Sequence, residues 1–309
     1  MPVIDVDNLS CKFGKTLALN GLSFSVDQGE IFGLVGPDGS GKTTCLRILC
    51  GLIEPSDGSA TVLGKDVCRE PDAIRSEIGY MAQPAGLYDE LTVAENIEFY
   101  AALYGMSPMR AKERMKRLLS FSGLAPFSNR HFRNLSGGMK QKAGLSCALI
   151  HTPRILLLDE PTNGVDPISR RDFWKILYEL KRENVTIVVA STYLDEADRC
   201  HRVAIFENGE ARWVMPPMAM RGLMKGLLFK LTVPDHLRAI KVLRPLPEVQ
   251  SVGIFGAGIH VSVAEIDDLV AIQTALKRIG IEDFEMEPIE PSLEDVYLSL
   301  VKQSTDGVR

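Results

Sequence analysis

The chain has 309 residues, 45% of them hydrophobic and 24% charged, the balance of a globular protein with room for one large domain and a small one. Its 35 basic and 40 acidic residues give a formal charge of −5, which excludes the overall basic surface of a nucleic-acid binder. Six scattered cysteines form no CxxC pair and five histidines show no metal-ligand spacing, so neither a disulfide framework nor a metal-binding cluster of that kind is expected.

The opening MPVIDVDNLS reads as a strand leading into a folded domain, not as a signal peptide. No stretch is apolar enough to cross a bilayer. The nearest, 213–229, is interrupted by two prolines, Arg221 and Lys225. Residues 1–212 alternate short apolar strands with helices, which predicts an α/β domain with a largely parallel, buried sheet. Strands are expected at 31–35, 78–81, 155–158 and 185–190.

Directly after the first of these comes Gly36, Pro37, Asp38, Gly39, Ser40, Gly41, Lys42, Thr43 and Thr44, matching GxxxxGK[ST] between a strand and a helix. Its glycines let several amides converge on a phosphate, and the helix N-terminus adds partial positive charge. Lys42 would reach the β- and γ-phosphates and Thr43 would ligate Mg²⁺. Cys45, next in line, reads as a small helix residue packed on the sheet.

A helical insertion is expected at about 84–150. Thr92 with Glu95 makes a capping box, and Ser107-Pro108 opens a second helix. Asn134-Leu-Ser-Gly-Gly-Met then offers a second amide-rich turn before an apolar helix, one more anion-binding end than a single nucleotide requires. The strand at 155–158 ends in Asp159 and Glu160. Alone it could be a strand followed by a solvated acidic turn. Beside a P-loop it suits a Mg²⁺ site at the carboxyl edge of a sheet, with Glu160 polarising a water. Asp166-Pro167 opens a further helix.

Composition shifts after Gly209. Residues 213–227 read as a linker, with a methionine-rich stretch that fits core or linker better than a binding surface. A small α+β accessory domain is expected at 228–309, with the pattern β-α-β-β-α-β: a strand at 228–233, a helix at 236–243, strands within 249–263, a helix at 266–279 and a strand at 284–289.

LSGGM lying between a P-loop and LLLDEP resembles the signature of the ABC ATPases, and the resemblance runs through residues 1–210. It implies a P-loop NTPase domain with a helical subdomain, ATP and Mg²⁺ as cofactors, and a role for each matching residue. Phe13 would stack on adenine, and residues 36–44 would form the Walker A motif. Gln83 would sense Mg²⁺ and the attacking water. Ser136, Gly137 and Gly138 would grip the γ-phosphate of ATP held by another subunit. Asp159 would bind Mg²⁺ through a water, Glu160 would be the catalytic carboxylate, and Asp166 would belong to the D-loop. One position departs from the pattern: an ungapped match puts Thr192 where the family has its H-loop histidine, and a one-residue slip would put Tyr193 there.

GLYDELTVAENIEFYAALYG, SGGMKQK and the closing PSLEDVYLSL resemble ATP-binding subunits of ABC-2-type exporters, the drug-efflux class. That resemblance implies a membrane permease as partner and a second ABC ATPase subunit, identical or paralogous, with no nucleic acid. It implies a cytoplasmic protein held on the inner face of the membrane through the permease. The alternative is a soluble or regulatory ABC ATPase with slow hydrolysis and no transport role.

Overall fold

Strands apolar at every position must be covered on both faces, and this decides the architecture. The computed structural model describes residues 2–84, 86–224, 226–256 and 258–306. It divides into two units, Met1–Met215 and Pro216–Arg309.

The first unit opens with a hairpin, β1 (Pro2–Phe13) and β2 (Thr16–Asp27), followed by β3 (Ile31–Val35) and α1 (Lys42–Leu49). Next come β4 (Asp57–Val62), β5 (Lys65–Asp66), a short α2 (Pro71–Arg75) and β6 (Ile78–Met81). Three helices of the insertion follow: α3 (Val93–Leu103), α4 (Pro108–Phe121) and α5 (Gly137–Ala148). The chain then returns to the sheet through β7 (Ile155–Asp159), α6 (Pro167–Arg182), β8 (Thr186–Ser191), α7 (Leu194–Ala197), β9 (Arg202–Glu207) and β10 (Glu210–Met215).

The main sheet has the order β10-β9-β3-β8-β7-β6, parallel except for the β9–β10 hairpin. A second, antiparallel sheet has the order β2-β1-β4-β5. Helix α1 lies between the two, with Cys45, Leu46, Ile48 and Leu49 fully buried. Burial pushes the Cys45 thiol up to about 12, so it serves as a packing residue and not as a nucleophile. Helix α6 turns Phe173, Trp174, Ile176, Leu177 and Leu180 inward.

The helix starts expected at Thr92, Ser107 and Asp166 are present, whereas the helix expected from 266 begins at Leu269. Thr92 and Glu95 form the reciprocal capping box of α3, and the Asp166 side chain accepts from the Ile168 and Ser169 amides at the start of α6. The strand expected from 185 begins at Thr186, because Val185 still bonds back to Leu180 in the turn that ends α6.

Residues 213–215, expected in a linker, instead complete β10 against β9, with Trp213 opposite Ile205. In the second unit, α8 (Pro217–Arg221) precedes β11 (Leu227–Thr232), α9 (His236–Leu243), β12 (Val249–Phe255), β13 (Gly258–Val263), α10 (Leu269–Arg278), β14 (Glu285–Pro288) and α11 (Leu293–Asp306). Its strand order β12-β13-β11-β14 is wholly antiparallel, the ferredoxin-like arrangement that the β-α-β-β-α-β pattern produces. One sheet face packs on α9 and α10. On α11, Asp295 is bonded to His260 of β13 at 2.8 Å and caps its own helix through Ser292. Among the described residues no helix is long and apolar enough to cross a membrane.

Leu157 is fully buried at the centre of β7, in the core shared with α1. Leu157→Ala should destabilise the first unit by about 2–5 kcal/mol, read as a lower denaturant midpoint with unchanged slope.

Candidate active site

The sheet order sets four loops side by side at its carboxyl edge, following β3, β8, β7 and β6. This edge is where ligands gather in open α/β sheets. The loop after β3 leaves no room for a side chain at two of its glycines. At Gly41, which caps α1 with φ 105°, a Cβ would stand 2.6 Å from the Ala18 carbonyl oxygen. A Cβ at Gly36 would stand 2.2 Å from the Phe206 carbonyl oxygen. Lys42 is buried, and its ammonium donates to the Gly36 and Pro37 carbonyls at 2.8 and 3.0 Å.

Two carboxylates face this loop from the end of β7. Asp159 Oδ1 accepts from Thr43 Oγ1 at 2.9 Å, and Oδ2 accepts from the Tyr80 hydroxyl at 3.4 Å. Glu160 takes a φ of 48°, a left-handed conformation that costs a non-glycine residue about 1–3 kcal/mol. Its amide donates to the Ala190 carbonyl at 3.0 Å. Its Oε2 accepts from the Thr192 amide at 3.2 Å and from the Thr192 hydroxyl at 3.3 Å, while Oε1 lies 3.5 Å from Lys42 Nζ. Burial raises the pKa of both acids above the ordinary carboxylate range. The Thr43 hydroxyl opposes this for Asp159, and the Thr192 amide and Lys42 oppose it for Glu160.

Ala18, residues 38–44, Gln83 and Glu160 line one cleft. Its chemistry suits a magnesium polyphosphate. The Thr43 hydroxyl and the Asp159 carboxylate supply hard oxygen donors at one point, and Lys42 supplies the cation beside them. Ser40 Oγ and Glu160 Oε1 are buried there without a hydrogen-bond partner, two polar atoms that a phosphate and a water would satisfy.

Other residues singled out in the sequence lie apart from the cleft lining. Phe13 is half exposed at the tip of the hairpin whose return strand carries Ala18. Ser136 caps α5, accepting from the Met139 amide, with Gly137 exposed beside it. Gly138 is buried where α5 approaches α6, and a Cβ there would come within 2.6 Å of Ser169 Cβ. Asp166 is spent on its own helix cap, which holds its carboxyl below the usual range. Tyr193 turns away from Glu160. Its ring lies 4.0 Å from the Arg170 guanidinium and its hydroxyl reaches Asn163, so Thr192 is the residue facing the acid. His201 accepts from the Ile31 amide at the opposite end of β3.

The sequence pattern of the ABC transporter family matches residues 19–163. The probable multidrug ABC transporter ATP-binding protein YbhF of Escherichia coli is 40% identical over 91% of the chain, which spans 48% of YbhF. The Nod factor export ATP-binding protein I of a Rhizobium species is 35% identical over 96% of each chain. This chain belongs to the ABC transporter ATP-binding proteins. A solved dimeric ATP-binding cassette, MJ0796 bound to ADP and phosphate in a post-hydrolysis state, matches 69% of the chain and 98% of its own length with a TM-score of 0.64 at 26% identity. As an ABC ATPase the chain uses ATP with Mg²⁺.

Three neighbours of the ABC site were given no task by the sequence. Tyr80 reaches Asp159 from the adjacent strand, and its own hydroxyl is pushed up to about 12 by burial and by that carboxylate. Ser191 accepts the Gly36 amide at its carbonyl, and Glu196 accepts the Ser191 hydroxyl. Only the pairing of strands brings them in.

Bound nucleotide should stabilise the chain by about 2.7 kcal/mol at a hundredfold excess over its dissociation constant. Lys42→Ala should abolish that MgATP-dependent thermal shift, because Lys42 is the one ammonium among the residues lining the cleft. A shift that survives would remove the assignment of this loop.

Proposed function

We propose that this chain energises an export permease by hydrolysing ATP at the cleft between β3 and β7. What carries this reading is the placement of Glu160. A buried carboxylate is fixed on one oxygen by Thr192 and left unbonded on the other, beside Lys42. An oxygen without a hydrogen-bond partner beside the phosphate loop supports a general-base role.

Each residue then has a task. Lys42 exchanges the Gly36 and Pro37 carbonyls for phosphate oxygens, while the loop amides orient them. Thr43 and Asp159 hold Mg²⁺, which neutralises phosphate charge when bound. Glu160 Oε1 receives the proton of the attacking water, and Gln83, which lines the same cleft, orients that water. Thr192 keeps the carboxylate aimed. Phe13 meets the adenine, and Ser136, Gly137, Gly138 and Asp166 serve the site of a second cassette, identical or paralogous. Their placement outside the cleft lining fits that division. So does the dimeric form of the solved cassette.

Export, and drugs as cargo, rest on the relatives: the printed name of YbhF calls it a probable multidrug transporter protein, and that of the Rhizobium protein names Nod factor export. The same names weigh against a soluble or purely regulatory role. The permease would dock beside the helical insertion. There Tyr88 and Phe99 stand edge to face at 5.0 Å, both exposed, with Leu103 further along α3. Such docking would hold the protein on the inner face of the membrane.

Three measurements test this. Glu160→Gln should keep MgATP binding and lose about 10²–10⁴ in turnover, with a dimer accumulating on size exclusion in MgATP. Turnover like wild type would show that Glu160 is not the base. Thr192→His adds a group able to carry charge beside the reaction, so steady-state phosphate release at saturating MgATP should rise. An unchanged or lower rate would show that threonine is fully competent there. Leu91→Glu, next to Tyr88, should lower permease co-purification while leaving the MgATP thermal shift intact. Normal complex formation would place the permease elsewhere.

A further inference from the structure

Behind the cleft lies a carboxylate without a role expected from the sequence. Glu196, in α7, is 1% exposed. Its Oε1 accepts from the Thr162 hydroxyl and, at 3.1 Å, from the Trp174 indole, and its Oε2 accepts from the Ser191 hydroxyl at 2.8 Å. Arg170 Nε stands 3.8 Å from Oε1, its guanidinium lying over the Tyr193 ring. Burying a carboxylate is costly unless it is bonded this fully, and a fully bonded one is rigid.

The groups it holds belong to three segments that meet at the reaction centre. Thr162 follows Glu160 by two residues. Ser191 ends β8, and its carbonyl accepts the Gly36 amide at 3.3 Å, so it also touches the start of the P-loop. The Ser191 hydroxyl accepts from the Tyr193 amide at 3.1 Å while donating to Glu196, which fixes the turn through 191–193. At the apex of that turn, the Thr192 amide and hydroxyl point at Glu160 Oε2. Trp174 and Arg170 tie the same carboxylate to α6.

We propose that Glu196 is a positioning residue for hydrolysis: it fixes the 191–193 turn from behind, so that Thr192 holds the Glu160 carboxylate in place. The proposal rests on the reading of Glu160 as the base. Glu196 touches neither the P-loop lysine nor the residues lining the cleft, so its removal changes the aim of Glu160 and spares nucleotide contacts. Misplacing a catalytic group by about an ångström costs on the order of 10²-fold in rate.

The test uses the full chain. Glu196→Gln keeps the shape of the side chain but brings its amide hydrogens toward hydroxyl and indole donors. Its kcat for phosphate release should fall about 10²-fold while KM for MgATP and the MgATP thermal shift stay close to wild type. Ser191→Ala, which leaves the carboxylate bonded to Thr162 and Trp174, should reproduce most of that fall. The double variant should lose little more than Glu196→Gln alone, because both act through one turn. Hydrogen exchange gives a reading independent of turnover: the Thr192 and Tyr193 amides should exchange faster in both variants, with β3 and β7 unchanged. Should Glu196→Gln fail to fold, Ser191→Ala carries the same expectations. Unchanged kcat, a KM that rises in step with the fall, or additive losses would overturn the positioning role. Glu160→Gln, measured alongside, separates the two readings. If it turns over normally the base assignment fails, whereas faster exchange confined to 192–193 would still show the bracket acting on the turn.

Discussion

The end of β8 is the point on which the site depends. Two consecutive carbonyls there, of Ala190 and Ser191, accept the amides of Glu160 and Gly36, so one strand end fixes both the acid and the first residue of the phosphate loop. Backbone bonds of this kind survive side-chain change, which makes the spacing between Lys42 and Glu160 a property of the sheet. The two opposite charges then sit 3.5 Å apart, each 5% exposed, in surroundings where water screens them little. Each offsets part of the desolvation of the other, and Glu160 Oε1 is left without a hydrogen-bond partner. A cleft in that condition gains by taking up a phosphate and a water.

The order of strands explains why the loops needed together are far apart in the chain. β3 lies between β9 and β8, and β7 comes next, so right-handed crossovers through α5 and α6 return the chain to the same edge each time. The helical insertion lies between β6 and β7. Its α5 is pressed against α6 at Gly138, and through α6 it shares a support with Glu196, which Trp174 and Arg170 contact from that helix. The insertion and the Glu196 cluster are thus both packed on α6.

Much of this was legible in the sequence, and the reasons are local. The P-loop, the strand ending in Asp159 and Glu160, and the caps at Thr92 and Asp166 are contiguous signals whose chemistry lies within a few residues. The six-element pattern of the second unit was readable because its helices and strands alternate with clear periodicity. Trp213–Met215 escaped because a short, polar-flanked segment beside Pro216-Pro217 resembles a linker, and only pairing with β9 makes it a strand. Tyr80, Ser191 and Glu196 escaped for a different reason. Tyr80 reaches an acid 79 residues away, Ser191 accepts an amide from the start of the phosphate loop, and Glu196 binds groups from two other segments, so only the folded chain shows these contacts. The choice between Thr192 and Tyr193 was likewise open in the sequence, and side-chain direction in the turn decides it.

That turn also bears on what a threonine in place of a histidine changes. Two donors hold Glu160 Oε2, and one of them is the Thr192 amide, which any residue at this position would supply. Orientation of the Glu160 carboxylate thus depends chiefly on the backbone of the turn, and that backbone is held by Ser191 and Glu196. What the side chain adds is a second, neutral hydrogen bond at 3.3 Å. A histidine could bring charge toward the developing phosphate anion, and charge-assisted bonds are roughly twice as strong as neutral ones. The exchange of threonine for histidine therefore bears on an electrostatic contribution and leaves the backbone bond from residue 192 to Glu160 standing.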